Sequence, residues 1–427
     1  MSQSAKDHMG RPIVVVTGIG MVTSLGEGKE DNWQALTSGQ SGISKITRFP
    51  TEGLRTQIAG TIPWQGEGLF FPPAHSISLA KKSAFEAIEQ AGIGSRGSFP
   101  GPMFVAVFPA ETNWGQRMDV YNRKDGGESK GYERLIKNVS AGDFPEYYRM
   151  YQFGSIAEHL ADEFGTRGIP VSLTTACASG ATSVQLGVEA IRRGDTDAAL
   201  CIGTDAEICE EMVVRFTLLS ALSTQNDDPQ GASKPFSRTR DGFVMAEGSA
   251  TLVLESYDSA KARGAKILGV VRGTGERADT FHRTRSKPDG SAIIDTIARS
   301  LDDAGMSPDE IDYINAHGTS TPENDKMEFL ALSAAMGNAA DNTPISSNKS
   351  MIGHTLSAAG TIEAAISLLT INAGVIPPTI NCHEQDPNIT MDVVPNVKRE
   401  QTVNSVMSNS FGFGGQNVCL IFSSEPD

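Results

Sequence analysis

Residues 170–200 read PVSLTTACASGATSVQLGVEAIRRGDTDAAL, and their reading decides the fold. VSL is a short strand-like run, VQLGVEAIRR carries apolar residues at helical spacing, and TTACASG between them holds only small residues. Cys177 therefore stands at the seam between a strand and a helix. Unpaired N–H groups in the first turn of a helix favour negative charge, so a thiol there is biased toward thiolate. Ala176, Ala178, Ser179 and Gly180 leave room for a carbonyl group to approach the sulfur. The competing reading is a buried structural thiol, like Cys201 and Cys419 inside apolar strands.

A second stretch has the same grammar. TPISSNKSMIGHTLSAAGTIEAAISLLTINAGVI at 343–376 also runs from a proline through a short strand and a small-residue turn into an apolar helix. An earlier pair, IVVVTGIG at 13–20 and AKILGVVRGTGE at 265–276, repeats the relation. Similarity at so long a period points to two copies of one α/β unit, not a solenoid. Resemblance among all strand–helix sequences is the plainer alternative. Duplication would set Cys177 and His354 at matching places in the two halves. Elsewhere FVAVF, AALCIGTDAE and SATLVLES read as buried strands and LAKKSAFEAIEQAG as a helix ending at Gly92, giving an α/β class with buried sheets. The stretch from about 111 to 150 shows little periodicity.

Composition bounds the partners. A chain of 427 residues, 39% hydrophobic and 20% charged, can bury a large core. The net charge of −15 argues against nucleic acid. No apolar run reads as membrane-spanning, and MSQSAKDHMG lacks the apolar segment of a secretory signal. Five cysteines without a CxxC pair suit a reducing, cytoplasmic setting.

Three further stretches carry polar chemistry. YINAHGTSTPENDKMEF (313–329) puts His317 after a strand, SSNKSMIGHTLSAAG (346–360) brings Lys349 and His354 to the start of a helix, and SNSFGFGGQN (408–417) is a glycine-rich turn. Singly, each has a dull structural reading. No GxxxxGK[ST] is present, and TGIGMVTSLG lacks the third glycine of a dinucleotide fingerprint.

Together, TACASG, NAHGTSTPENDKME, NKSMIGHTLSAAG and NSFGFGG resemble the β-ketoacyl-[acyl carrier protein] synthases, type II elongating members of the thiolase-like condensing enzymes. RDGFVMAEGSATLVLE, LSTQNDDPQGASKPF and VIPPTIN extend the resemblance over nearly the whole chain. It implies a thiolase-like fold, two α/β halves forming a five-layered α/β/α/β/α core. The expected division is a flexible tail (1–11), a half bearing the nucleophilic cysteine (12–260) and a half bearing His, Lys and His (261–427). The implied reaction is a decarboxylative Claisen condensation of malonyl carrier protein with an acyl group on Cys177. Cys177 and Phe413 N–H groups would form the oxyanion hole, with Phe413 also a gate. His317 and His354 would stabilise the enolate, and Lys349 would fix His354 electrostatically and pair with Glu328 or Asp325. Thr319 and Thr321 would hold the phosphopantetheine arm. The resemblance further implies no metal or organic cofactor, an acyl carrier protein as partner, and a homodimer with strand 198–203 near its interface.

Departures from the family pattern bear on specificity. VFPAETNWGQ (107–116) replaces the usual glycine-rich loop, and the stretch at 117–154 is longer than the norm. Gln416 stands for Thr and Ala246 for Gly, and GEGLFFPPAH replaces the basic cluster before the LAKKSAF helix. Arg117, Arg123, Lys124, Lys130, Arg134 and Lys137 are candidates for a substitute basic patch, and the expectation is a specialised acyl chain or carrier protein. Three alternatives compete with this reading. A non-catalytic chain-length-factor-like partner would lack Cys177, and a degradative thiolase would need a second cysteine where FGFGG stands. A zinc site from Cys177, His317 and His354 lacks compact ligand spacing.

Overall fold

The computed structural model describes residues 5–66, 70–95, 97–109, 111–123 and 128–424. The first-half strands are β1 (Val14–Thr23), β2 (Met103–Val107), β3 (Val171–Leu173), β4 (Ala198–Asp205) and β5 (Gly248–Ser256). The second-half strands are β6 (Gly269–Ala278), β7 (Tyr313–Asn315), β8 (Ile345–Ser346), β9 (Ser405–Phe411) and β10 (Gln416–Ser423). The spatial orders are β3-β2-β4-β5-β1 and β8-β7-β9-β10-β6. In each half the two strands nearest the centre run antiparallel, and the three outer ones are parallel to one another. The same unit is thus built twice. The copies join where Val14, Val15 and Val16 of β1 pair with Val271, Val270 and Gly269 of β6.

The helices used below are α1 (Pro72–Ala91), α2 (Trp114–Asn122), α3 (Gly131–Ser140), α4 (Pro145–Met150), α5 (Ser155–Phe164), α6 (Ser179–Arg192), α7 (Glu210–Leu218), α8 (Ser291–Ala304), α9 (Pro322–Met336) and α10 (Ala359–Ala373). α6 and α10 touch each other and both sheets, forming the middle layer. α1 and α5 cover the first sheet from outside, α8 covers the second, and α9 packs on α8. This is the five-layered thiolase-like core.

Small residues make the middle layer possible. A Cβ on Gly180 would lie 2.5 Å from the Thr361 nitrogen, and one on Gly360 would lie 2.4 Å from the Ala181 nitrogen. The two helices therefore cross backbone to backbone at their first turns. The stretch Leu356–Ala373 is long and apolar enough to cross a membrane, contrary to the sequence expectation; it is 78% buried in this core.

Other expectations need correction. Residues 5–11 are not a loose tail: Arg11 binds Asp303 at 2.6 Å and Asp7 at 2.8 Å, and the Ala5 N–H donates to Asp258. Residues 1–4 lie outside the described part. Among its described residues the weakly periodic region holds three helices, α2 to α4. α2 starts with a capping box between Asn113 and Gln116, and Pro145 opens α4. Strand 198–203 has no free edge, because β4 is paired with β5 on one side and β2 on the other. The open edge of that sheet is β3.

Candidate active site

Cys177 lies two residues before α6 and lines a cavity of about 430 Å³. The preceding Ala176 has φ +50°, a conformation that costs an L-residue energy. The second half repeats this seat. Leu356 has φ +43°, three residues before α10, as Ala176 is three before α6. Ser357, not His354, therefore holds the place of Cys177 in the other copy. The sequence pairing of Cys177 with His354 was off by three residues.

The glycine-rich turn closes over the sulfur. Its Phe413 N–H lies near enough to Cys177 Sγ to favour the thiolate. A Cβ at Gly412 would lie 2.6 Å from the Thr175 carbonyl, so only glycine lets the turn come this close. Backbone bonds from Gly412 N–H to the Gln416 carbonyl and from Gly414 N–H to the Arg283 carbonyl, both 2.7 Å, hold the turn.

Cys177 Sγ and a ring nitrogen from each of His317 and His354 lie within 4.8 Å of one another. The donors that sequence spacing kept apart are compact in space. Lys349, however, places an ammonium 3.4 Å from His317 Nδ1, which disfavours a divalent cation there. His317 follows β7 and packs edge-on against His354 and Phe411. His354 is clamped through its backbone, its N–H donating to Val244 at 2.7 Å and its carbonyl accepting from Ala246 at 2.9 Å. Both of its ring nitrogens are buried without a hydrogen-bond partner among the described residues. They are free for a ligand.

The expected partner of Lys349 is wrong. Its ammonium pairs with Glu363 on α10 and donates to the His317 carbonyl at 2.7 Å. Glu328 instead accepts the N–H groups of His317 and Gly318, both at 2.8 Å. Asp325 accepts from Phe236 N–H at 2.8 Å and faces Arg240 at 3.5 Å. Lys349 thus bonds to His317 and not to His354, on which it acts through its charge alone. Glu363 escaped the sequence reading, although a lone carboxylate in the apolar helix AGTIEAAISLLTINA was the available signal. Thr319 and Thr321 line the cavity, their hydroxyls 2.9 Å apart, and Thr321 caps α9.

Burial controls the protonation of the site. It pushes the Cys177 thiol up to about 11, against the Phe413 N–H and the Lys349 charge that favour thiolate. The helix-end bias expected from sequence is therefore outweighed. Burial first, then the charge of Lys349, holds both imidazoles well below their ordinary range, so both rings are neutral at pH 7. The resting site is a neutral thiol facing two neutral rings. Its thiolate fraction should grow about tenfold per pH unit, so alkylation of Cys177 by iodoacetamide should climb without a plateau from about pH 7 to about pH 10. Peptide mass spectrometry reads this rate, and a plateau near pH 8.5 would mean the helix end dominates after all.

Comparison with known proteins fits this geometry. Residues 11–260 match the family described as Beta-ketoacyl synthase, N-terminal domain, and 268–383 match Beta-ketoacyl synthase, C-terminal domain. The chain belongs to the β-ketoacyl synthase family. It is a condensing enzyme of the acyltransferase class. It is 39% identical to the tetracenomycin polyketide synthase ketoacyl synthase alpha subunit of Streptomyces glaucescens, over 94% of this chain and 95% of that one. It is 36% identical to 3-oxoacyl-[acyl-carrier-protein] synthase 2 of Coxiella burnetii, over 96% and 98%. A solved structure of a type II PKS acyl-carrier protein in complex with its ketosynthase bound to the hexaketide superposes with a TM-score of 0.86 at 31% identity, covering 97% of this chain and all of that one.

The synthase's departures also have structural outcomes. Gln416 ties β10 to Glu276 of β6, and Ala246 sits against Gly60 and Gly353. The proposed basic patch is largely engaged. Arg117 pairs with Glu111 and Arg123 with Asp143, while Arg134 binds the Tyr121 carbonyl and Lys137 the Ser129 hydroxyl. Lys124 lies outside the described residues.

Proposed function

We propose that this synthase lengthens an acyl group carried by an acyl carrier protein, using malonyl carrier protein as the two-carbon donor. The supporting observation is the Cys177 sulfur beneath the Phe413 amide, with two unprotonated imidazoles within 4.8 Å. In the first half-reaction the sulfur attacks the thioester carbonyl of the acyl phosphopantetheine. The carbonyl oxygen takes the electron pair toward the N–H groups of Cys177 and Phe413. Collapse expels the pantetheine sulfur, which takes the proton that Cys177 gives up.

In the second half-reaction the malonyl C–C bond breaks and carbon dioxide leaves. The electron pair moves to the thioester oxygen as an enolate held by ring N–H groups of His317 and His354. Lys349 donates toward His317 Nδ1, which fixes the proton on Nε2. The enolate carbon attacks acyl-Cys177, a C–C bond forms, and the departing sulfur recovers a proton from water. Glu363, Glu328 and Asp325 position these groups. No step calls for a metal or organic cofactor.

Phe108, Ile208, Met212 and Phe216 share a cluster with Cys177 and suit an apolar acyl chain. Phe108 and the altered loop around it support selection of a specialised chain or a dedicated carrier. The open edge of β3, with Ile169 87% exposed just before it, suits pairing with a second copy in a homodimer. Five free cysteines fit a reducing cytoplasm. Acyl carrier proteins loaded with acyl groups of graded length, mixed with malonyl carrier protein, test the reading by mass spectrometry. A 3-oxoacyl product two carbons longer is expected from a particle sedimenting as a dimer. No elongated product at any length rejects the enzyme, and a monomer rejects the edge pairing.

A further inference from the structure

The second copy keeps the frame of the active seat and fills it differently. Ala178 N–H donates to the Thr175 carbonyl at 3.2 Å, and Ala358 N–H donates to the Thr355 carbonyl at 2.9 Å. Ala176 and Leu356 supply the positive φ, and Gly180 and Gly360 stand three residues after Cys177 and Ser357. Each seat is reached from the end of the other copy's middle strand. The turn after β9 brings the Phe413 N–H to Cys177, and the last residue of β4, Asp205, brings a carboxyl group to Ser357. Asp205 Oδ2 accepts the Ser357 N–H at 3.0 Å. The corresponding group in the first copy is the Cys177 N–H, assigned above to the oxygen of a reacting thioester. In the second copy an oxygen of the protein itself takes that amide.

Asp205 is 1% exposed, and its other oxygen accepts the Glu207 N–H at 3.3 Å. It has no ion-pair partner among the described residues, so backbone amides are what it holds. Burial raises its carboxyl to about 7. A protonated carboxyl still keeps an oxygen that accepts the amide, so the hold does not depend on charge. The hold matters for His354, three residues before Ser357. Neither ring nitrogen of His354 has a hydrogen-bond partner among the described residues, so the ring is located by packing on Phe243 and His317 and by its own backbone. Val244 and Ala246 grip that backbone at His354 itself, and Asp205 grips it beyond the left-handed Leu356.

We propose that Asp205 is a positioning residue for His354, an assignment that rests on the function proposed above. Its carboxyl oxygen fills the second copy's counterpart of the oxyanion hole and thereby fixes the turn that aims the imidazole at the malonyl thioester. Acyl transfer does not draw on this contact, because Cys177 and the Phe413 amide belong to the other seat. A small displacement of a donor from a reacting oxygen is costly to rate, which is why a residue that touches no substrate matters here.

Carbon dioxide release from malonyl carrier protein, acyl transfer from acyl carrier protein to Cys177, and thermal melting are measured side by side. Asp205→Ala should lower kcat for decarboxylation by about tenfold or more, with KM and the acyl-transfer rate within about twofold of native. Asp205→Asn keeps an oxygen of the same reach and should retain most of the native kcat. A double-mutant cycle separates positioning from general damage. Added to His354→Ala, Asp205→Ala should cost nothing further, whereas added to His317→Ala it should keep its full effect. Decarboxylation by Asp205→Ala at the native rate would overturn the assignment while leaving the condensing function intact. So would equal losses in both half-reactions, a loss in Asp205→Asn as large as in Asp205→Ala, or an undiminished further loss on the His354→Ala background. Asp205→Ser, one bond shorter and still polar, carries the same expectations through the cycle should Asp205→Ala not fold. Absence of both half-reactions from the native chain would overturn the function and the assignment together.

Discussion

Cys177→Ala should yield no elongated product, a loss on the order of 10⁴ or more, while decarboxylation of malonyl carrier protein continues. The two outcomes separate because the groups separate. In the proposed mechanism the sulfur alone holds the acyl group, whereas loss of carbon dioxide draws on His317 and His354. No other thiol can stand in, since Cys201 and Cys419 are enclosed in the core and Cys209 and Cys382 do not line the cavity. Ser357 offers no rescue either, being fully buried. Condensation by the variant at a tenth of the native rate or better would refute the nucleophile. Release of labelled carbon dioxide and product mass, followed in one reaction, read both halves.

His317→Ala and His354→Ala should each lower malonyl decarboxylation by about 10²–10³, the usual cost of removing one donor to a developing oxyanion. Both should still form acyl-Cys177, because the Phe413 amide remains above the sulfur. The pH profile supplies a second reading. Both rings are held well below 6.5, so neither gains a proton until the pH falls far below that value. Decarboxylation by the native chain should therefore show no inflection near pH 6.5. An inflection there, abolished in either variant, would mean that a ring is charged at work. Native-rate decarboxylation in either variant would remove that ring from the enolate site.

Much of this arrangement could be read from the chain, for a physical reason. Short apolar strands, small-residue turns and apolar helices are local patterns, and so is their repetition. The cavity groups sit on the turns those patterns define. What could not be read was set by tertiary approach. Lys349 meets Glu363 because α10 lies behind the β7 and β8 turns, and sequence distance gives no hint of it. Burial raises the Cys177 thiol, where reasoning from an exposed helix end gives the opposite sign. The fault in the 111–150 region was different. Tyr132, Ile136 and Val139 recur at helical spacing in α3 but face outward, so the usual tie between periodicity and a buried core misleads. The β3 edge became visible only once the strand order was known.

The doubled architecture has a consequence for what this molecule can be cut down to. The first copy supplies the sulfur, and the second supplies both imidazoles, the ammonium and the amide that covers the sulfur. Ser357 marks the seat where the second copy has no thiol. In the proposed mechanism neither copy is a smaller enzyme; the reaction belongs to the junction. That junction includes three residue pairs between β1 and β6 and the contact of two glycine-bearing helix starts. A change that lets the copies slide there by an ångström would leave every strand and helix formed and the chemistry gone. In this protein the most exacting part of the active centre is a packing contact that touches no substrate.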